Sequence, residues 1–274
     1  MKITFFGTAA AEGFPGLFCN CKYCQRAREL GGKNIRGRSQ SLINDDLLID
    51  MPPDTMTRFQ LHGIRGDKLK TVLFTHGHGD HYFPANLQLR IPPYAHNMEV
   101  EVLDVLCPET VYEHCKSFLG ENAASVRLHK AVPYETVQLN GYEITPLKAR
   151  HDFSRSAVIY SIAKDGKRML YAHDTGYFYD EVFDYIRDNR LYFDFATFDC
   201  TNAHLPSKQT ESHMGFDNVE LVIERLREMG AIDDNSRLFV NHFSHNGNPL
   251  HEDMEASASK IGCEVSFDGC TVEF

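Results

Sequence analysis

Apolar residues along this chain fall into two patterns. Short runs rich in β-branched and aromatic residues read as strands, and stretches with apolar residues three and four apart read as helices. "KITFFG" (2–7) reads as a strand ending in Gly7, and "KTVLFTH" (70–76) as a buried strand. "SLINDDLLID" (41–50) reads as a hairpin, two apolar runs around Asn44-Asp45-Asp46. Further strands are expected at 126–130, 135–139, 142–148, 157–163, 168–173, 192–199 and 237–241. Helices are expected at 53–63, stopped by Gly63, and at 108–119, 178–189, 216–230 and 252–260. In the 216–230 segment Phe216, Val219, Val222, Ile223, Leu226 and Met229 share one face, and Gly230 is placed to end the helix. Residues 8–40 carry few periodic apolar positions and much Gly, Cys and Arg, so they read as one long loop, which in a compact domain is usually functional. The first half is strand-rich with few helices between. That favours an αββα sandwich, two sheets with helices outside, over a doubly wound sheet. No linker, charge block or repeat interrupts the chain, so a single domain over 1–274 is expected.

Composition narrows the classes. No run of about 18 apolar residues occurs, so no membrane span is expected. The N-terminus has one Lys, a short apolar run broken by Gly7, and Glu12 where a signal peptide needs small or apolar residues. A cytoplasmic location follows as the expectation. The formal net charge of −10 disfavours a large nucleic-acid surface, which would need clustered Lys and Arg. It leaves room for a small anionic substrate, because bound cations dominate a local field. Cys107, Cys115, Cys200, Cys263 and Cys270 are scattered and read as small buried hydrophobes.

Candidate chemistry concentrates at "THGHGDH", which follows the 70–76 strand directly. It supplies His76, His78, Asp80 and His81 in a turn at a strand end, with Gly77 and Gly79 expected to let the backbone bend. Four ligand-type residues in so short a turn point to a metal site.

This His-x-His-x-Asp-His motif after a buried strand resembles the metallo-β-lactamase superfamily, whose fold is the αββα sandwich. The resemblance runs along nearly the whole chain. "LLID" places Asp50 at the family's strand-end Asp, "KARHDF" gives His151, "MLYAHDTG" gives Asp174 and "LFVNHFSH" gives His242. The resemblance implies two divalent ions, Mn or Zn, with His76, His78 and His151 on the first and Asp80, His81 and His242 on the second. Asp174 would bridge them, and water activated by both charges would be the nucleophile. Asp50 is the outer partner expected for the histidines of the first ion. His173 beside Asp174 is expected to point to the opposite face.

"GTAAAEGFPGLFCNCKYCQRAR" and "SHMGFDN" narrow the branch. They resemble the phosphoribosyl cyclic phosphate phosphodiesterases of the carbon–phosphorus lyase pathway, relatives of tRNase Z. The implied reaction is hydrolysis of a small cyclic or nucleotide-like phosphodiester. His213 would protonate the leaving group, and Asp80 would take part beside it. The segments "YFPANLQLRIPPYAHNM" and "DFSRSAVIYSI" differ from that group's, so the reaction class carries over and the substrate does not. A thioester or lactone hydrolase of the same fold, or a non-hydrolytic metal protein, are the alternatives.

Cys19, Cys21 and Cys24 would make three ligands of a closed zinc site that wants four. His245, three residues after His242, is the expected fourth, giving a structural zinc that pins the 8–40 loop. The alternative is three free or redox-active thiols with His245 idle. No membrane partner and no large nucleic acid is expected, and a homodimer is compatible with the chain.

Overall fold

The computed structural model describes residues 1–120, 124–152 and 156–274, so part of the "DFSRSAVIYSI" segment lies outside the described residues. Two seven-stranded sheets pack face to face. The first contains β1 (Lys2–Gly7), β2 (Gln40–Ile43), β3 (Leu47–Ile49), β4 (Thr71–Leu73), β5 (Leu103–Cys107) and β6 (Val126–Lys130). The second contains β7 (Val137–Leu139), β8 (Tyr142–Lys148), β9 (Val158–Lys164), β10 (Lys167–Ala172), β11 (Phe195–Asp199), β12 (Arg237–Asn241) and β13 (Glu264–Val265). The last strand, β14 (Thr271–Glu273), returns to the first sheet and pairs with β1. In both sheets an antiparallel part gives way to parallel strands: β3 through β6 in the first, β10 through β13 in the second.

Strand alternation builds the layers. Met169 and Tyr171 of β10 face the first sheet, joining Ile3, Phe5, Ile49 and Phe195 in the core between sheets, while Leu170 and Ala172 face the outer helices. Those helices are α5 (Asp180–Asp188), α6 (Phe216–Glu228) and α7 (His251–Ala258). The first sheet's outer face is covered from α2 (Thr55–His62), the short α3 (Ala85–Gln88) and α4 (Glu109–Leu119). The αββα sandwich expected from the sequence is the architecture found.

Three local expectations are corrected. Residues 8–40 contain a helix, α1 (Lys22–Leu30). Only Cys24 and Ala27 of it are buried, so it shows no apolar stripe. It starts from Cys21, whose sulfur accepts from the Cys24 amide. Strand β5, buried at all five positions, was not predicted, because "LDVLC" is too short a run to separate from the helix that follows. Strand β4 ends at Leu73, since the chain leaves the ladder to form the motif turn, where the Phe74 carbonyl accepts from Tyr160 Oη at 2.7 Å. The hairpin, the Gly63 stop with φ +64° and the 216–228 helix form as expected. Among the described residues no helix is long and apolar enough to cross a membrane.

Phe195 is fully buried between the sheets, with the rings of Phe5, Phe239 and Phe274 at 6.5, 5.4 and 4.8 Å. Phe195→Ala should cost about 3–5 kcal/mol in denaturant unfolding with an unchanged m-value. A loss below about 1 kcal/mol would show that this cluster does not clamp the sheets together.

Candidate metal centre

The carboxyl ends of the parallel strands from both sheets converge on one edge of the sandwich, where α/β proteins commonly place their sites. The first sheet delivers Asp50 after β3 and the His76–His81 turn after β4. The second delivers Asp174 after β10, Asp199 at the end of β11 and His242 after β12, and its antiparallel part adds His151 after β8. Asp50, Asp174 and His242 adopt left-handed backbone, with φ of 61°, 53° and 66°. Each such non-glycine residue costs roughly 1–3 kcal/mol, and strain of this kind collects at functional sites. In each case the turn swings the side chain from the strand end into the cluster. Gly79, by contrast, has ordinary backbone and open space where a side chain would sit, so the motif turn does not need its freedom.

Two groups of ligand atoms form. His78 Nδ1 lies 2.8 Å from His76 Nε2 and 3.1 Å from His151 Nε2. Separately, His81 Nε2 lies 3.3 Å from both Asp80 Oδ2 and His242 Nε2. Asp174 stands between the groups. Its Oδ2 is 2.7 Å from His81 Nε2 and 2.9 Å from His242 Nε2, and its Oδ1 faces His151 Nε2 at 3.7 Å. All seven positions singled out from the sequence for the two ions therefore meet in space.

The residues fit divalent cations. Asp174 Oδ2 is buried and, among the described residues, makes no aligned hydrogen bond despite its imidazole neighbours. Asp50, Asp80 and Asp174 all surround His81. Burial pushes His81 down, but these three carboxylates outweigh it and hold the imidazole well above its ordinary range. Burial and the charge of His81 hold His76 well below that range. A buried imidazole whose charged form three carboxylates favour marks a place suited to positive charge, with ring nitrogens of its neighbours close by.

The outer contacts revise one expectation and add residues that the sequence reading missed. Asp50 serves the second group directly, with Oδ2 2.6 Å from His81 Nδ1. It reaches the first group only through Thr75, whose Oγ1 donates to Asp50 and lies 3.0 Å from His76 Nδ1. Asp199 was not anticipated. Its Oδ2 lies 2.9 Å from His213 Nδ1, and its Oδ1 accepts from the amides of Thr201 and Met214. Thr201 Oγ1 in turn lies 2.8 Å from His242 Nδ1. The available sign was position: Asp199 closes an apolar strand run, "FATFD", as Asp50 closes "LLID". Burial lowers the His213 imidazole, but the Asp199 charge and hydrogen bond, helped by Asp174, outweigh burial and raise it to about 9. His173 faces away, with Nε2 2.9 Å from Thr197 Oγ1, and joins neither group.

His213, His78, Asp80 and His151 line a cleft of about 440 Å³ together with Ala10, Ala11 and Glu12. On its other side Cys19, Cys21, Cys24 and His245 converge, with His245 Nδ1 at 3.7 and 3.8 Å from the sulfurs of Cys19 and Cys21. His242 and His245 reach different clusters because the left-handed turn at His242 and the short turn 245–247, capped by Ser244, redirect the chain between them. Glu12, also missed from sequence, links the two clusters: its Oε1 accepts from Ser244 Oγ at 2.6 Å and lies 3.7 Å from His245 Nε2.

Comparison with known proteins agrees with this geometry. The profile of the beta-lactamase superfamily domain matches residues 46–243. The chain is 24% identical to the coenzyme PQQ synthesis protein B of Acinetobacter baumannii (strain ACICU), over the full length of both. The Zn(2+)-bound PqqB from Methylobacterium extorquens superposes with a TM-score of 0.77 at 20% identity, covering all of both chains. A diphosphatase from the PhnP family gives 0.75 at 20% identity, covering all of this chain and 96% of the other. At these identities the structural likeness is one of fold. The profile match extends from the turn before β3 to the residue after His242, through both groups of ligand atoms, and the chain belongs to the metallo-β-lactamase superfamily.

Proposed function

We propose that the protein is a two-metal phosphodiesterase acting on a small cyclic or nucleotide-like phosphodiester. The observation that carries this reading is the pair His213–Asp199, in which His213 lines the cleft beside both ligand groups and the fully buried Asp199 backs it. His76, His78 and His151 would hold one divalent ion, Zn or Mn, and Asp80, His81 and His242 the other, with Asp174 shared. When bound, the ions would neutralise phosphate charge and lower the pKa of water.

The chain's own residues supply the rest. Asp199 accepts from His213 Nδ1–H, which leaves Nε2 as the nitrogen able to carry a proton to the departing alkoxide. The same carboxylate favours the protonated imidazole, so the acid is charged when the ester bond breaks. His213 stacks on His242, 5.8 Å between centroids, which fixes its plane. Asp80 lines the cleft and, held ionised by His81 and His242, would take part as a ligand of the second ion beside the attacking water. A leaving-group acid favours phosphodiesters over thioesters and lactones, whose departure needs less protonation. The full-length likeness to coenzyme PQQ synthesis protein B supports a second reading, a non-hydrolytic role in cofactor synthesis. It predicts no turnover of diesters with any metal. The thiol cluster with His245 would hold a third, structural zinc, closed to substrate because all four positions are filled.

Three outcomes test these readings. Wild-type protein loaded with Zn or Mn should hydrolyse bis(p-nitrophenyl) phosphate, and Asp174→Asn should lose about 10²-fold or more, with metal content falling as well. Turnover of lactones or thioesters with none of diesters would overturn the reading. His213→Ala should lower kcat by about 10²–10⁴ on diesters with poor leaving groups and much less on p-nitrophenyl esters. Equal losses on both would mean that His213 only positions substrate. Elemental analysis should find three ions per chain, and His245→Ala should lose one zinc and melt earlier. Retention of all three ions by that variant would place the fourth ligand elsewhere.

A further inference from the structure

Away from the cleft, a second cavity of about 350 Å³ opens between α2, α3 and the outer face of the first sheet. Its wall is largely apolar, with Met51, Met56, Phe59, Leu87 and Met98, and the charged residues on it are Arg90 and Asp67. Arg90 is only 9% exposed. Its Nη2 donates to the Val100 carbonyl at 2.7 Å, while its buried Nε reaches no acceptor among the described residues. The carboxylate nearest in influence, Asp67, is already held by Arg65 through Nε at 3.1 Å and through Nη2. Asp67 shares the cavity wall and acts on Arg90 through space, but among the described residues no hydrogen bond joins the two, so the guanidinium lacks a direct anionic partner.

We propose that this cavity binds a single-chain monocarboxylate of medium length, with its carboxylate on Arg90 and its chain among the methionines. The planar guanidinium fork matches a carboxylate better than any neutral head group. Arg65 and Lys68 join Glu99 and Asp67, the member of the four that lines the cavity, in one ion-pair network. With Arg90 added, the local charge leaves one positive charge over, which suits a monoanion and disfavours a dianionic phosphate. Methionine is unbranched and adapts to a flexible chain, and three line this wall. The volume is at the small end of the range of about 300–1,000 Å³ for small-molecule sites, which limits chain length. Met56 and Leu89, 56% and 45% exposed, leave the mouth open. The floor abuts the candidate metal centre from behind. Met51 follows Asp50, and its amide donates to the His81 carbonyl at 2.8 Å, so an occupied cavity stiffens the backbone that carries the motif turn.

Calorimetric titration of the metal-loaded protein with decanoate and with decanol tests the site. One decanoate should bind per chain and raise the melting temperature, and decanol should bind at least about tenfold more weakly, the difference a charged hydrogen-bonded pair makes. Arg90→Met should remove the preference for the acid, and Met56→Trp, which narrows the mouth while keeping Arg90, should weaken both ligands. Non-saturating decanoate binding, equal affinity for decanol in the wild type, or an acid preference that survives in Arg90→Met would each overturn the proposal.

Discussion

The structure turns on one buried carboxylate shared between two sets of imidazoles. Asp174 comes from the second sheet and lies within 3 Å of ring nitrogens on His81, from the first sheet, and His242, from its own. Asp50 presses on His81 from the other side. Buried charges of one sign this dense are tolerated only with positive charge among them. Closing the two sheets at this edge therefore favours positive charge among these carboxylates, and the same charges hold His81 well above its ordinary range. Packing of the sandwich and chemistry of the cleft are the same constraint seen from two sides.

That constraint explains where strain is accepted. Asp50, Asp174 and His242 each sit one or two residues past a strand end in left-handed backbone. A relaxed continuation would carry alternate side chains up and down the pleat and leave these three pointing into separate layers. The turn at each strand end brings them to one point instead. Thr75 and Thr201 then lock the outer nitrogens of His76 and His242, and each threonine is itself held by a carboxylate, Asp50 or Asp199. The imidazoles are oriented by the strand ends of their own sheets.

The N-terminal loop is the part of the cleft with least apolar support. Its own cluster consists of Ala9, Phe14, Cys24 and Ala27. Backbone bonds tie it to the last histidine strand, with the Ala10 amide donating to the Phe243 carbonyl. The thiols and His245 complete the anchor, and Glu12 joins that anchor to the cleft through Ser244. This long segment is thus held as a wall of the cleft by hydrogen bonds and the convergence of its thiols on His245 more than by an apolar core of its own.

Much of this was legible in the residues themselves. Period-two alternation and glycine stops defined most strands and helices, because burial on one or two faces of a sheet leaves that pattern in any order of packing. The His-x-His-x-Asp-His turn was legible because ligand chemistry restricts residue type, and His151, Asp174 and His242 were legible only through the family resemblance of the segments that carry them. Helix α1 was not, since it is capped by a thiol and buries only two residues. Strand β5 was not, since five apolar residues carry no period. Asp199, Thr75 and Glu12 act through partners 14, 25 and 232 residues away, and such pairings exist only once the strands are in register. Which carboxylate serves which histidine is likewise a matter of tertiary structure: Asp50 is adjacent to both His76 and His81 in the fold, and only the left-handed turn after β3 gives its direct bond to His81. Sequence determined the ligand types and the layers, because both depend on residue chemistry and local period. Pairing within the site was decided by the meeting of two sheets, because those distances are set by packing across the sandwich.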